Sequence, residues 1–337
     1  MSSTQLGQEQ IAAGEQQYID NLAQRLKAKI VADYPNGVMR RDAHPKMHGL
    51  VKAQFEVEAN LAPELQIGIF KTAANWPAWI RFSNQNATMQ DDIKPDIRGM
   101  AIKLMGVPST KLLEHELDAP TQDFIVISTK VFITRTPEEF DALVKALMGN
   151  LLSQIWFFVS HLRATINLLR SSKKFANPLQ IEYFSTTPYL FGSTAVKYCV
   201  RPHIAQADQI PSNPSPDYLR DAMRAQLSQG EALFDFMVQL QTDAQSMPIE
   251  DPSVEWDESV SPFRKVATIR ISQQEFDTEV RRNYGENLSF TPWHSLPEHR
   301  PLGGVNRARK VVYDFISRFR HEKNKVKREE PAIYEID

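Results

Sequence analysis

An α+β fold built on an antiparallel, eight-stranded β-barrel with helical insertions is what this sequence predicts. Three observations carry the expectation. Seven stretches alternate apolar and polar residues at strand period, so the strand count approaches eight. The first four follow one another as a meander, joined by turn-rich pieces such as SNQNATMQDDIKPD. The 21 prolines speak for many loops and turns rather than a helical bundle.

Residues 1–35 read as a polar leader and one amphipathic helix, from about Tyr18 to Ala32, with Ile19, Leu22, Leu26 and Ile30 on one face. Strands are expected at 50–59, 77–83, 98–105 and 123–133, where β-branched and aromatic residues alternate with polar ones. Residues 137–148 switch to helical period, with Phe140, Leu143 and Leu147 on one face. The stretch 146–170 (ALMGNLLSQIWFFVSHLRATINLLR) is the most apolar. It contains Gln154, His161, Arg163 and Asn167, so it offers no clean run of about 18 apolar residues and does not read as a spanning helix. A core or oligomer-interface helix and an interfacial helix contacting lipid both remain open for it. Strands follow at 194–204, 230–242 and 264–272, with a helix at PDYLRDAMRAQLSQ ahead of the second. The charged tail, 323–337, reads as a solvated helix end, which leaves 36–322 as the body of the protein.

Composition narrows the function classes. With 337 residues, 42% hydrophobic and 24% charged, the chain is long enough for one large domain. A net charge of −2 gives no ground for a nucleic-acid partner. The single cysteine, Cys199, excludes an internal disulfide framework and a thiolate cluster. MSSTQLGQEQIAAGEQQ has no apolar core of signal-peptide type, so a cytoplasmic location is expected.

Two sets of residues carry chemistry. Arg309 and Tyr313 lie four apart in a helical stretch, which puts the guanidinium beside the phenol on one face. An adjacent fixed positive charge favours the phenolate, a hard anionic donor of the kind that serves as an axial haem ligand. Near the start of the first strand stand His44 and His48. A metal pair at that spacing needs a helix, and Pro45 works against one running through His44. A catalytic base at a loop-to-strand junction is the other functional reading, and two ordinary loop histidines the simplest.

Five blocks in the same order then resemble catalases. Arg41-x-x-His44-x-Lys46 with Gly49 and FEV at 55–57 is similar to the catalase distal segment. WIRFSN (79–84), DIRGMAIKL (96–104) and DFIVISTKVFITRTPEEF (123–140) resemble the segments that follow it, and 290–315 resembles the closing segment with the proximal tyrosine. The likeness spans about 40–140 and 195–320, lapses over the apolar stretch, and is to the small catalase-related haem proteins. It implies a catalase-type barrel whose C-terminal helix carries the haem ligand, haem b as cofactor, and a peroxide or organic hydroperoxide as substrate, with an electron donor left unspecified. Residue by residue, Tyr313 matches the iron ligand and Arg309 its partner. His44 matches the distal acid–base, and Ser83 the serine bonded to it. Arg41 and Arg81 match arginines that bind the haem propionates, and Phe140 the aromatic residue beside the haem.

The departures matter as much. Ile127 and Ser128 stand where catalases carry two distal asparagines, so Ser128 is the remaining polar candidate there. The spacing from His44 to Phe55 is one residue longer than in the catalase motif, which keeps His48 open as the distal residue. The leading expectation is a catalase-related peroxidase. Kept beside it are a hydroperoxide-rearranging enzyme of the allene oxide synthase kind, a haem sensor or carrier, and a structural protein that has lost haem. The absence of the long wrapping segments of catalases suggests a homodimer, with the apolar stretch available as its contact.

Overall fold

The computed structural model describes residues 5–205, 207–334 and 336. Met1–Thr4 of the leader and Glu335 and Asp337 of the tail lie outside the described residues. In chain order the elements are α1 (Glu15–Asp33), β1 (Met47–Val57), β2 (Asn75–Asn84), β3 (Arg98–Met105), β4 (Thr121–Ile127), α2 (Pro137–Met148), α3 (Leu151–Ser160) and α4 (Leu162–Ser171). There follow β5 (Tyr183–Phe184), β6 (Tyr189–Phe191), β7 (Thr194–Pro202), α5 (Tyr218–Gln229), β8 (Ala232–Leu240), β9 (Arg264–Ile271), α6 (Glu279–Asn287) and α7 (Gly304–Asn324).

Eight strands close into an antiparallel barrel. β1 to β4 pair in sequence, β4 meets β5 at Ile127–Phe184, β5 meets β7 at Phe184–Cys199, and β7, β8 and β9 return to β1. The two-residue β5 closes the ring, and β6 hangs beside β7 as a ninth strand. Closure removes the open edges of a free sheet. The interior is aromatic: Phe55 and Phe236 have ring centroids 5.1 Å apart, Phe124 and Phe236 4.8 Å, and Phe124 and Tyr198 5.1 Å. Such rings fill a small barrel at side-chain density and leave its chemistry to the rim.

A helical layer covers one flank. Ile19, Leu22, Leu26 and Ile30 of α1 are all buried, against Val144 of α2 and Ala308, Ile316 and Phe319 of α7. The α1 face read from the sequence is therefore the packing face. α2 starts where Thr136 accepts a hydrogen bond from the Glu139 N–H, with Pro137 pre-set for the first turn. Thr136→Ala removes that cap and is expected to cost about 1 kcal/mol, read as a shift in the urea midpoint at constant slope.

Three expectations change. Strand 123–133 stops at Ile127, because Ser128 exchanges its backbone and side-chain bonds with Arg98 and the chain then turns away. The apolar stretch breaks into α3 and α4 at His161, whose ring stacks on Phe157 at 4.1 Å. The charged tail is not simply solvated. Arg328 bridges Asp314 and Glu116, Glu330 reaches the buried Lys103, and the Tyr334 hydroxyl donates to the Ala53 carbonyl of β1 at 2.6 Å. No helix among the described residues is long and apolar enough to cross a membrane.

Candidate active site

The site is built where the start of β1 peels away from β2. The β1–β2 register shifts between Met47 and Gly49, a bulge of the kind that re-aims side chains at barrel rims. Just upstream, His44 has φ +61°, a left-handed conformation that costs a non-glycine residue about 1–3 kcal/mol. Its surroundings over-determine that backbone. The His44 N–H donates to Gln85 O at 3.2 Å, its carbonyl accepts from Arg81 Nη2 at 2.9 Å, and its Nδ1 lies 2.9 Å from Ser83 Oγ. The ring stands over Gly99 of β3, where an added Cβ would come within 2.6 Å of Nδ1. Only a glycine admits the imidazole there. With Nδ1–H donating to Ser83, Nε2 keeps the lone pair a base needs. Burial, and then the positive charges of Arg81, Arg41 and Arg309, push the His44 pKa down to about 3, so the ring is neutral through the physiological range.

His48 is placed otherwise. It is 1% exposed, with Nε2 2.6 Å from Asn84 Oδ1, in a buried network with Asp92 and Arg98. Its imidazole is packed among these groups as a structural element. Of the two histidines, His44 is the one that touches Ser83.

Cross-strand pairing orients the next residues. Ser83 pairs with Gly99 and Gly99 with Ile127. Directly paired residues share a sheet face, so Ile127 lies on the face that carries Ser83 and His44. Ser128 is placed otherwise. Its hydroxyl oxygen accepts from the Arg98 N–H at 2.9 Å, and it is not brought against His44.

On α7, Arg309 Nη2 lies 3.3 Å from the Tyr313 hydroxyl, as the four-residue spacing implies. The guanidinium is braced by Asn306 Oδ1 at 3.1 Å and Thr187 Oγ1 at 3.3 Å. Phe140 of α2 is half-buried beside the α1–α7 core, its ring 5.5 Å from Phe132.

Arg41 and Arg81 do not stand alone. Arg320, seven residues beyond Tyr313 on α7, joins them and is 4% exposed. Arg41 and Arg320 share one carboxylate, Glu286, and cap the α6 C-terminus through its backbone carbonyls. Burial, and then Arg41, hold the Arg81 pKa well below its usual value, and the same two influences bring Arg320 down to about 9. Arg81 Nε is buried with no hydrogen-bond partner. Three clustered guanidiniums against one carboxylate leave two positive charges uncompensated, and a buried unpaired charge is expensive. A dianionic ligand removes that cost, so the donor set fits a haem with two propionates. Sequence reading missed Arg320; its signal was the two-turn spacing from Tyr313.

A separate group, Glu116, His294 and Glu330, brings three ligand-type atoms within 4.8 Å of one another. Lys103, bonded to both Asp123 and Glu330, already supplies a cation there. Burial opposes protonation of His294, but Glu330 and Asp123 outweigh it and raise its pKa to about 9. This cluster is an internal ion network.

No family model matches the chain. It is 30% identical over 253 residues to a protein of Mycolicibacterium paratuberculosis named catalase-related peroxidase, an overlap of 70% of this chain and 75% of that one. Among solved structures, a fungal catalase superposes with a TM-score of 0.66 at 17% identity, covering 95% of this chain and 66% of that one. Catalase A from Saccharomyces cerevisiae gives 0.64 at 17%, with 95% and 67% covered, and a bacterial catalase 0.66 at 16%, with 100% and 66% covered. The chain spans about two thirds of the length of those catalases.

Proposed function

The chain belongs to the catalase-related peroxidase family, and from that premise we propose that it is a haem peroxidase acting on hydrogen peroxide or an organic hydroperoxide. The observation that carries the reading is the surplus of buried positive charge at Arg41, Arg81 and Arg320, in a site where Arg81 bonds the His44 carbonyl and the charges of Arg81, Arg41 and Arg309 all act on the His44 ring. Haem b, when bound, supplies a redox-active iron that accepts the oxidising equivalents of the peroxide.

The chain's own residues do the rest. Tyr313 offers the iron ligand, and Arg309 donates a hydrogen bond to that oxygen. The three arginines hold the propionates through charge-assisted bonds. His44 Nε2 takes the proton from one peroxide oxygen and returns it to the other, which departs as water or alcohol. Ser83 fixes the ring that performs both transfers. A sensor or carrier needs no such acid–base pair, which favours the enzyme among the alternatives. We place its work in the cytoplasm, with an electron donor whose identity is open.

Ile127 sets the balance between reactions. It shares the His44 face and donates no hydrogen bond. A second molecule of hydrogen peroxide is then poorly positioned as reductant, and positioning supplies several kcal/mol of a barrier. The apolar wall suits a bulkier organic donor or hydroperoxide instead, which also keeps a fatty-acid hydroperoxide rearrangement as second reading. The test is an absorption spectrum of the purified protein, followed by oxygen evolution and donor oxidation on the same sample. Oxygen release is expected to be the minor channel, and Ile127→Asn to raise it relative to donor oxidation. An unchanged ratio in Ile127→Asn sinks the assignment of Ile127.

A further inference from the structure

A helix packed on a globular body turns its apolar side inward and its polar side to water. α3 and α4 instead leave most of their large apolar residues facing outward. The inward residues are few: Phe157 of α3, and Ala164 and Ser171 of α4. Phe157 and Ala164 seat against Leu143 and Ala146 of α2. The outward residues include Leu151, Leu152, Trp156, Val159, Leu162 and Leu169. Trp156 is 73% exposed and Leu152 74%. Single exposed apolar side chains need no explanation, but a run of them on two consecutive helices marks an interaction surface.

The charge around this face says what covers it. The chain has more acidic than basic residues overall, 41 against 39. Residues 142–181 nevertheless contain no Asp or Glu and five basic residues: Lys145, Arg163, Arg170, Lys173 and Lys174. All five are exposed. Asp251, from a neighbouring loop, pairs with Arg163 at 3.1 Å, and among the described residues no salt bridge joins the other four to an acidic side chain. A second copy docked through the same surface would bring like charges together, since a two-fold contact sets a patch against itself. An anionic lipid surface instead meets both features at once. Exposed leucines and a tryptophan enter the boundary between headgroups and acyl chains, and the flanking Lys and Arg meet the phosphates.

We propose that α3 and α4 dock this protein on the surface of an anionic lipid bilayer. Each helix has ten residues, about 15 Å, suited to lying in the interface and too short to span it. Asn150 caps α3 by accepting from the Ser153 N–H, and the turn at His161 lets both helices present their apolar sides outward. The platform is tied to the body by a buried bond of 2.7 Å between Ser171 and Thr129, the residue that follows Ile127 and Ser128. Docking therefore sets the bilayer beside the chain segment that continues from the candidate site, and it does not depend on haem being bound.

The experiment is flotation of the full-length protein with vesicles of phosphatidylcholine alone and of phosphatidylcholine mixed with phosphatidylglycerol. Co-flotation with the anionic vesicles, weakened by high salt and by omission of phosphatidylglycerol, is the expected result. Arg170→Gln and Lys174→Gln are each expected to lower partitioning about fivefold. Trp156→Glu and Leu152→Glu, at exposed positions, are expected to abolish flotation while leaving the circular dichroism spectrum unchanged. Failure of the parent protein to float with anionic vesicles overturns the proposal. So does a dimer, seen by light scattering, that Trp156→Glu dissociates, because the face would then belong to a second copy.

Discussion

Tyr313→Phe is expected to purify with haem reduced to background, or with a spectrum from which the phenolate charge-transfer band has gone. On the proposed reading the phenol oxygen of Tyr313 is the donor to iron, and phenylalanine removes it without changing the shape of α7. The rest of the helix should tolerate the change, since Tyr313 is only half-buried and the packing of α7 rests on Ala308, Ile316 and Phe319. Circular dichroism and the urea midpoint separate loss of ligand from loss of fold. An unaltered haem content and charge-transfer band in Tyr313→Phe would remove Tyr313 as ligand. Arg309→Leu is the companion variant. It keeps the phenol but takes away the donor 3.3 Å from its oxygen, so the band should shift rather than vanish.

The second large effect is at His44. His44→Asn should slow the reaction with hydrogen peroxide by at least about a hundredfold, the ordinary reach of a positioned acid–base, while haem is retained. Asparagine is the better probe than alanine because the position has φ +61° and asparagine tolerates the left-handed region. His48→Asn should leave the rate nearly unchanged and lower stability instead, since its ring serves the Asn84–Asp92–Arg98 network. A rate that collapses in His48→Asn and survives in His44→Asn reverses the assignment.

The pH profile gives an independent check. A histidine at its ordinary pKa near 6.5 would be mostly protonated, and useless as a base, by pH 5.5. Burial is the largest influence that lowers the His44 pKa and persists when haem covers the site, so the rate should stay flat between about pH 6 and 8 instead of falling through the ordinary histidine range. The same shift acts on stability. Below pH 6.5 the unfolded histidine binds a proton that the folded one refuses, so this group's contribution falls as the pH drops from about 6.5 toward 3 and is constant above.

Much of this was legible in the chain itself. Local periodicity placed β3 at 98–105 and α2 at 137–148 with the bounds they have in the fold, because alternation and helical spacing are properties of neighbouring residues. The face of α1 and the adjacency of Arg309 and Tyr313 follow from helix geometry alone. The strand at 123–133 was overextended, because what ends it is a pair of bonds to Arg98, a residue of another strand. The two-residue β5 that closes the barrel is too short to carry any period.

The sequence by itself determined seven of the eight barrel strands, the family resemblance, and most of the residues named for the candidate site. Tertiary structure decided what depends on residues far apart in the chain. It set His44 against Ser83 and Gly99 and His48 in the Asn84–Asp92–Arg98 network, contacts that no local spacing reveals. It put Ile127 on the His44 face and committed Ser128 to Arg98, because cross-strand register sets side-chain direction. It brought Arg320 to Arg41 and Arg81 around Glu286, a charge imbalance that no local spacing reveals. It also turned the apolar side of α3 and α4 outward, since hydrophobic period shows that a helix has two faces but not which one the body of the protein covers.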